Sequence, residues 1–210
     1  MQHLILIGDI IASRRLPDRK ATQEKLAATV AHLNRRSVHA LSSPYTITLG
    51  DEFQAVFHCA DTIFHDAVSL LLALHPVQIR FAWGLGSLET PLNPDMAIGM
   101  DGPAFHHARA AMTALKKTPH LFTIAGEPLQ HPGLAEASLH LISHSLHKWK
   151  KNRLHVFSLL SEGMAVKTIA RRLGISEQAV YKTIDAGGLR IILSLFEELA
   201  LLINESLKEK

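Results

Sequence analysis

Two carboxylates, Asp9 and Asp51, stand 42 positions apart, each directly after a glycine, in GDI (8–10) and GDEF (50–53). A Gly-Asp pair between alternating runs is first of all turn chemistry. The surrounding elements make it more. HLILIGDI (3–10) is an apolar run that reads as a buried strand. YTITL (45–49) and FQAVF (53–57) alternate around Gly50-Asp51 as a hairpin. With the first strand beside that hairpin, both acids reach one sheet edge. Converging carboxylates repel unless a cation neutralises them, so Mg²⁺ carrying a phosphate is the expected guest, with the Ile10 carbonyl as a further oxygen. Strand alternation is expected to turn Glu52 away from Asp51 into solvent.

A second chemistry lies in VKTIARRLGISEQAVYKTID (166–185). A helix-turn-helix needs a small residue where its helices cross, a glycine at the turn and an apolar residue seating the second helix. Ala170, Gly174 and Val180 meet those needs, and Ile169, Leu173 and Ile175 supply buried contacts. Ser176 is a ready N-cap. Glu177, Gln178, Tyr181 and Lys182 then face a major groove, with Lys167, Arg171 and Arg172 near phosphates. Charge agrees: residues 148–190 carry 9 basic against 3 acidic side chains, whereas residues 1–147 carry 11 against 12. A basic block behind a neutral one points to a polyanion at the C-terminal part.

The rest of the chain must position these groups. Residues 21–41 have apolar positions at helical spacing (Leu26, Val30, Leu33, Ala40). Residues 61–74 read as a helix capped by Asp61, 77–88 as a strand, 101–115 as a helix with Pro103 at its first position, and 121–126 as a short strand. The predicted fold is α+β: a ferredoxin-like βαββαβ domain (1–130), a connecting helix (131–152) and an all-α helix-turn-helix domain (153–210). Gly84 and Gly86 admit either a ligand or a bulge. In RIILSLFEELALLINESLKEK, Ile192, Leu195, Leu199, Leu202 and Leu207 suit a dimerisation helix or packing onto the chain itself. His140, His144 and His147 share a helix face outside the stripe Leu139, Ile142, Leu146 and Trp149, and are expected to be solvated.

Hydrophobic residues make up 47% and charged residues 20%, which excludes a disordered chain. The single cysteine, Cys59, excludes an intrachain disulfide. MQHLILIGDI is unlike a secretory leader, and Glu197 and Glu198 interrupt the longest apolar run, so a cytoplasmic protein without a membrane span is expected.

Taken in order, GDIIASR, GDEFQAVF, RFAWGLGSLET and GMDGPAFHHARAAM resemble the succession of motifs in class III nucleotide cyclases. GDEF also resembles the diguanylate cyclase hairpin, with Leu49 where that signature has its first glycine. As a whole the chain is similar to the SatD family of bacterial proteins, which joins such a domain to a C-terminal helix-turn-helix. The resemblance implies Asp9 and Asp51 as metal ligands and Arg109 as the arginine steadying a phosphate. Ile47 stands where purine-reading cyclases carry Lys, and Phe105 where they carry Asn, with His106 or His107 as the available substitute. It therefore implies metal and nucleotide binding more strongly than turnover. The expected function is a homodimeric DNA-binding regulator whose cyclase-like domain holds a Mg²⁺-associated nucleotide or other small phosphorylated ligand. The alternatives are a working nucleotidyl cyclase or transferase regulated by its helix-turn-helix, and a degenerate domain serving as a dimer scaffold.

Overall fold

A computed structural model describes residues 1–208. Among them the chain forms one five-stranded mixed sheet and eight α-helices. β1 (Gln2–Ile10) leads through a short 3-10 turn (Ser13–Arg15) to α1 (Arg19–Arg36), then β2 (Leu41–Ile47), β3 (Glu52–Phe57), α2 (Ile63–Leu74), β4 (Ile79–Ser87), α3 (Pro103–Leu115) and β5 (Phe122–Ala125). The strand order is β2-β3-β1-β4-β5, antiparallel except for the β4–β5 pair.

β1 is central, so both of its faces are covered, which is why its sequence is almost wholly apolar. Leu4, Leu6 and Ile10 join the larger core with α1 and α2. Ile5 and Ile7 face the other way, toward α3. Phe81, Trp83 and Leu85 of β4 belong to the first face, and Ala82 to the second. The glycines of β4 continue that second face. A Cβ at Gly84 would collide with the backbone of Ala104 and Ala108, and one at Gly86 would lie 2.8 Å from the Ala104 nitrogen. Neither glycine admits a ligand or marks a bulge: both admit the backbone of α3. Gly84→Ala is expected to cost about 2 kcal/mol by overpacking, lowering Tm by roughly 6 °C for a chain of this size, as thermal denaturation would show.

Helix ends follow local chemistry, with exceptions. Asp18 caps α1 through the Ala21 N–H at 2.8 Å, and α1 stops at Arg36 rather than near residue 41. Pro103 opens α3 as expected. Asp61 does not cap α2; Thr62 holds that position, and the Asp61 carboxylate accepts from Asn204 at 2.7 Å.

The remaining helices are α4 (Pro132–Leu146), α5 (Lys151–Ser161), α6 (Val166–Leu173), α7 (Glu177–Gly187) and α8 (Leu189–Leu207). These do not form a core apart from the sheet. Ile169, Val180, Leu189 and Phe196 belong to the same continuous cluster as Leu4 and Trp83. Aromatic contacts make the join: Phe196 stacks on Phe64 at 4.5 Å, and Phe64 meets the edge of Trp83 at 5.4 Å. The α8 stripe is spent on its own chain, with Ile192 and Leu199 buried and Leu195, Leu202 and Leu207 packed against that cluster. No helix among the described residues is long and apolar enough to cross a membrane.

Candidate functional site

Strand register decides what surrounds Asp9. It lies opposite Glu52 on one side and Arg80 on the other. Alternation from Ile5 and Ile7 puts Asp9 on the α3 face, and alternation from Val56 and Ala82 puts Glu52 and Arg80 there too. Glu52 is thus a half-buried neighbour of Asp9 rather than a solvated bystander. Because α3 lies so close on the two glycines, Lys116 just beyond its end reaches across. Its ammonium sits 2.8 Å from Asp9 Oδ1, while Arg80 stands 3.8 Å from Oδ2. Arg80 Nε is buried without a hydrogen-bond partner, so this guanidinium has a donor still unspent.

Asp51 is close by through its backbone. Its carbonyl accepts from the Ile10 N–H at 3.0 Å, tying the hairpin tip to the end of β1. Its side chain accepts from the hydroxyl of Ser13, which is buried in the turn after β1. Each acid at this end of the sheet therefore has a resident donor: Lys116 and Arg80 for Asp9, Ser13 for Asp51. Their oxygens suit a hard cation in kind. Yet both Asp9 oxygens already face positive nitrogens, so the residues as arranged do not fit Mg²⁺ at Asp9. Among the described residues no group of three or more His, Cys, Asp or Glu is placed to hold a metal ion.

Arg109 is exposed and stands seven residues before Lys116, on the same face of the helix two turns away, or about 10 Å. Its positive charge contributes to holding the Asp101 carboxyl below its usual range, after the larger effects of the Gly102 N–H and the His106 ring. His106 is engaged by Asp101 at 2.8 Å, and His107 donates its Nδ1–H to the Leu85 carbonyl at 2.8 Å. Neither is turned toward Asp9 by those bonds. Phe105 is buried in the α3 core and Ile47 packs on the main core.

Sequence reasoning missed Arg80, Lys116 and Ser13. One signal was available: Arg109 and Lys116 share a helix face by spacing alone. Arg80 had none, because its place beside Asp9 depends on register.

The second candidate region is the α6–α7 pair. Gly174 ends α6 in the left-handed conformation at φ 66°, and the Ser176 hydroxyl accepts from the Ala179 N–H at 3.1 Å. Ala170 and Val180 are buried where the helices cross. Lys167, Arg171, Arg172, Ser176, Glu177, Gln178, Tyr181 and Lys182 are all exposed. Among the described residues no carboxylate pairs with any of those four cations.

The α4 histidines are more than a solvated face. His140 stacks on His120 at 3.8 Å, His147 meets the Pro119 carbonyl at 2.6 Å, and Lys148 donates to His144 at 2.8 Å. Burial, and then the His140 charge, lower the His120 pKa; burial, and then Arg36, lower that of His65. The unfolded chain regains the ordinary value near 6.5, so below it U binds more protons than N and stability rises with pH. Tm is therefore expected to fall between about pH 7.5 and about pH 5.5. The double variant His65→Gln/His120→Gln should show a shallower fall by calorimetry.

Fold and edge together define a mixed sheet-and-helix protein with an acid–cation cluster at one sheet edge and an exposed basic helix pair. A family model for the SatD family matches residues 3–202. The chain belongs to the SatD family. Among solved structures it is similar to a bacterial light-regulated adenylyl cyclase, at 16% identity over 59% of this chain and 74% of that one, with TM-score 0.41. It is also similar to the catalytic core of a rhodopsin-guanylyl cyclase with converted specificity in complex with ATPalphaS, at 20% identity over 53% of this chain and 72% of that one, with TM-score 0.38. No curated protein matches it.

Proposed function

We propose that this protein is a DNA-binding regulator whose sheet edge holds a phosphorylated ligand. The observation that carries the reading is the α6–α7 pair: two helices joined at a left-handed glycine and a capping serine, with an exposed outward face whose cations pair with no carboxylate among the described residues. Such cations are free to displace the counterions of a phosphate backbone. Gln178, Tyr181 and Lys182 line one groove on α7, an 11-residue helix of a size the major groove admits.

The ligand reading rests on Arg80, Lys116 and Arg109. The unspent buried guanidinium N–H of Arg80 on β4, with the Lys116 ammonium and the exposed Arg109 on one face of α3, suits the oxygens of a nucleotide or other polyphosphate. The β2-β3-β1-β4 order supports the ferredoxin-like, cyclase-type reading of this region. Phe105 and Ile47, both packed inward, favour binding over turnover. The path from ligand to DNA runs along β4 through Trp83, Phe64 and Phe196 to α8, which follows α7. Two copies reading a two-fold operator complete the proposal, on a surface other than the α8 stripe.

Fluorescence anisotropy with genomic fragments tests the first part. Salt-sensitive binding, weakened in Gln178→Ala/Lys182→Ala, is expected. Absence of salt-sensitive binding overturns it. Steady hydrolysis or cyclisation of ATP or GTP, lost in Asp9→Asn and Asp51→Asn, would replace the regulator reading by the enzymatic one.

A further inference from the structure

We infer that Lys116 is the resident counter-ion of Asp9 and competes with divalent metal for that carboxylate, so a dication enters only when the ammonium leaves. Asp9 presents two oxygens, with Oδ1 on Lys116 at 2.8 Å and Oδ2 facing Arg80 at 3.8 Å. A hard cation needs those same lone pairs, and at coordinating distance it would stand within a few ångströms of a positive nitrogen.

The two cations differ in freedom. Arg80 is fixed in β4 with its side chain 17% exposed, whereas Lys116 lies beyond the end of α3 with its side chain 43% exposed. An ammonium on a four-carbon stem that already touches water can swing outward at little desolvation cost. Lys116 is therefore the movable partner. On the reading that phosphates bind at Arg80 and Lys116, on which this step rests, an oxyanion draws the ammonium off Asp9. While Lys116 holds Asp9, metal alone binds weakly.

Retention of Mn²⁺, read from the free-ion electron paramagnetic resonance signal at neutral pH, tests the inference on the full-length protein. Lys116→Met is expected to bind Mn²⁺ at least roughly tenfold more tightly than wild type. Adding Asp9→Asn should erase the gain. Equal affinity in wild type and Lys116→Met overturns the inference, as does a gain that survives Asp9→Asn. Lys116→Gln serves the same purpose should the methionine variant fail to fold. Metal-free pyrophosphate titrated calorimetrically into wild type judges the ligand reading separately. Loss of that binding alone removes the phosphate step and leaves the Lys116–metal competition standing on the Mn²⁺ result.

Discussion

Replacing Lys167, Arg171 and Arg172 together by alanine is expected to flatten the salt dependence of DNA binding and to weaken it on the order of a hundredfold near 0.1 M salt. Each phosphate contact adds about 0.9 to the slope of log K against log salt, so three lost contacts lower it by about 3. All three side chains are exposed and none is ion-paired with a carboxylate among the described residues, so their removal should leave Tm almost unchanged. The loss should also be uniform across sequences, because phosphate contacts position the protein without reading bases. Gln178→Ala should instead reduce discrimination between fragments while keeping the slope. Anisotropy titrations at several salt concentrations separate the two. A triple variant with the wild-type slope would remove this helix pair from the DNA interface.

Asp66→Ala is expected to be the most damaging single substitution, at about 4 kcal/mol, or a fall in Tm of roughly 12 °C. Asp66 on α2 is fully buried, yet its oxygens collect Arg36 Nη2 at 2.7 Å, Ser37 Oγ at 2.9 Å and Tyr45 Oη at 3.0 Å. One carboxylate thereby ties α2 to the end of α1 and to β2. Burial, with Asp66 beside it, pushes the Tyr45 phenol well above its ordinary range, so Tyr45 stays a hydrogen-bond donor at every working pH. Truncating Asp66 strands two hydroxyls and half-frees a guanidinium whose side chain is 33% exposed. Tyr45→Phe should cost only about 1 kcal/mol. The double variant should cost less than the sum, since both changes remove the same bond. Urea denaturation of the four proteins measures this, and strict additivity would show that the network is not coupled.

Much of this was legible in the chain. The hairpin around Gly50-Asp51, the Pro103 helix start, and the Gly174–Ser176 turn are local patterns enforced by local sterics and capping, and the structure carries each of them, although FQAVF is buried throughout rather than alternately. The stripe Leu139, Ile142, Leu146 and Trp149 is buried as its period requires. Less legible were groups whose partners lie far along the chain. Asp61 looked like a cap and instead holds Asn204, 143 residues away. Asp66 gave no sign of gathering three partners, because Arg36 and Tyr45 reach it only once α1 and β2 pack on α2.

The sequence by itself determined where most strands and helices form and that a basic helix pair precedes the last helix. Those facts depend on periodicity, turn residues and charge, which are properties of neighbouring residues. Only the tertiary structure decided what Asp9 and Asp51 meet. Register places Arg80 and Glu52 beside Asp9, and the absence of side chains at Gly84 and Gly86 lets α3 lie low enough for Lys116 to reach it. Two acids that read as a metal pair thus became an acid–cation cluster, because non-local packing, not spacing, sets which charges stand within 4 Å of each other.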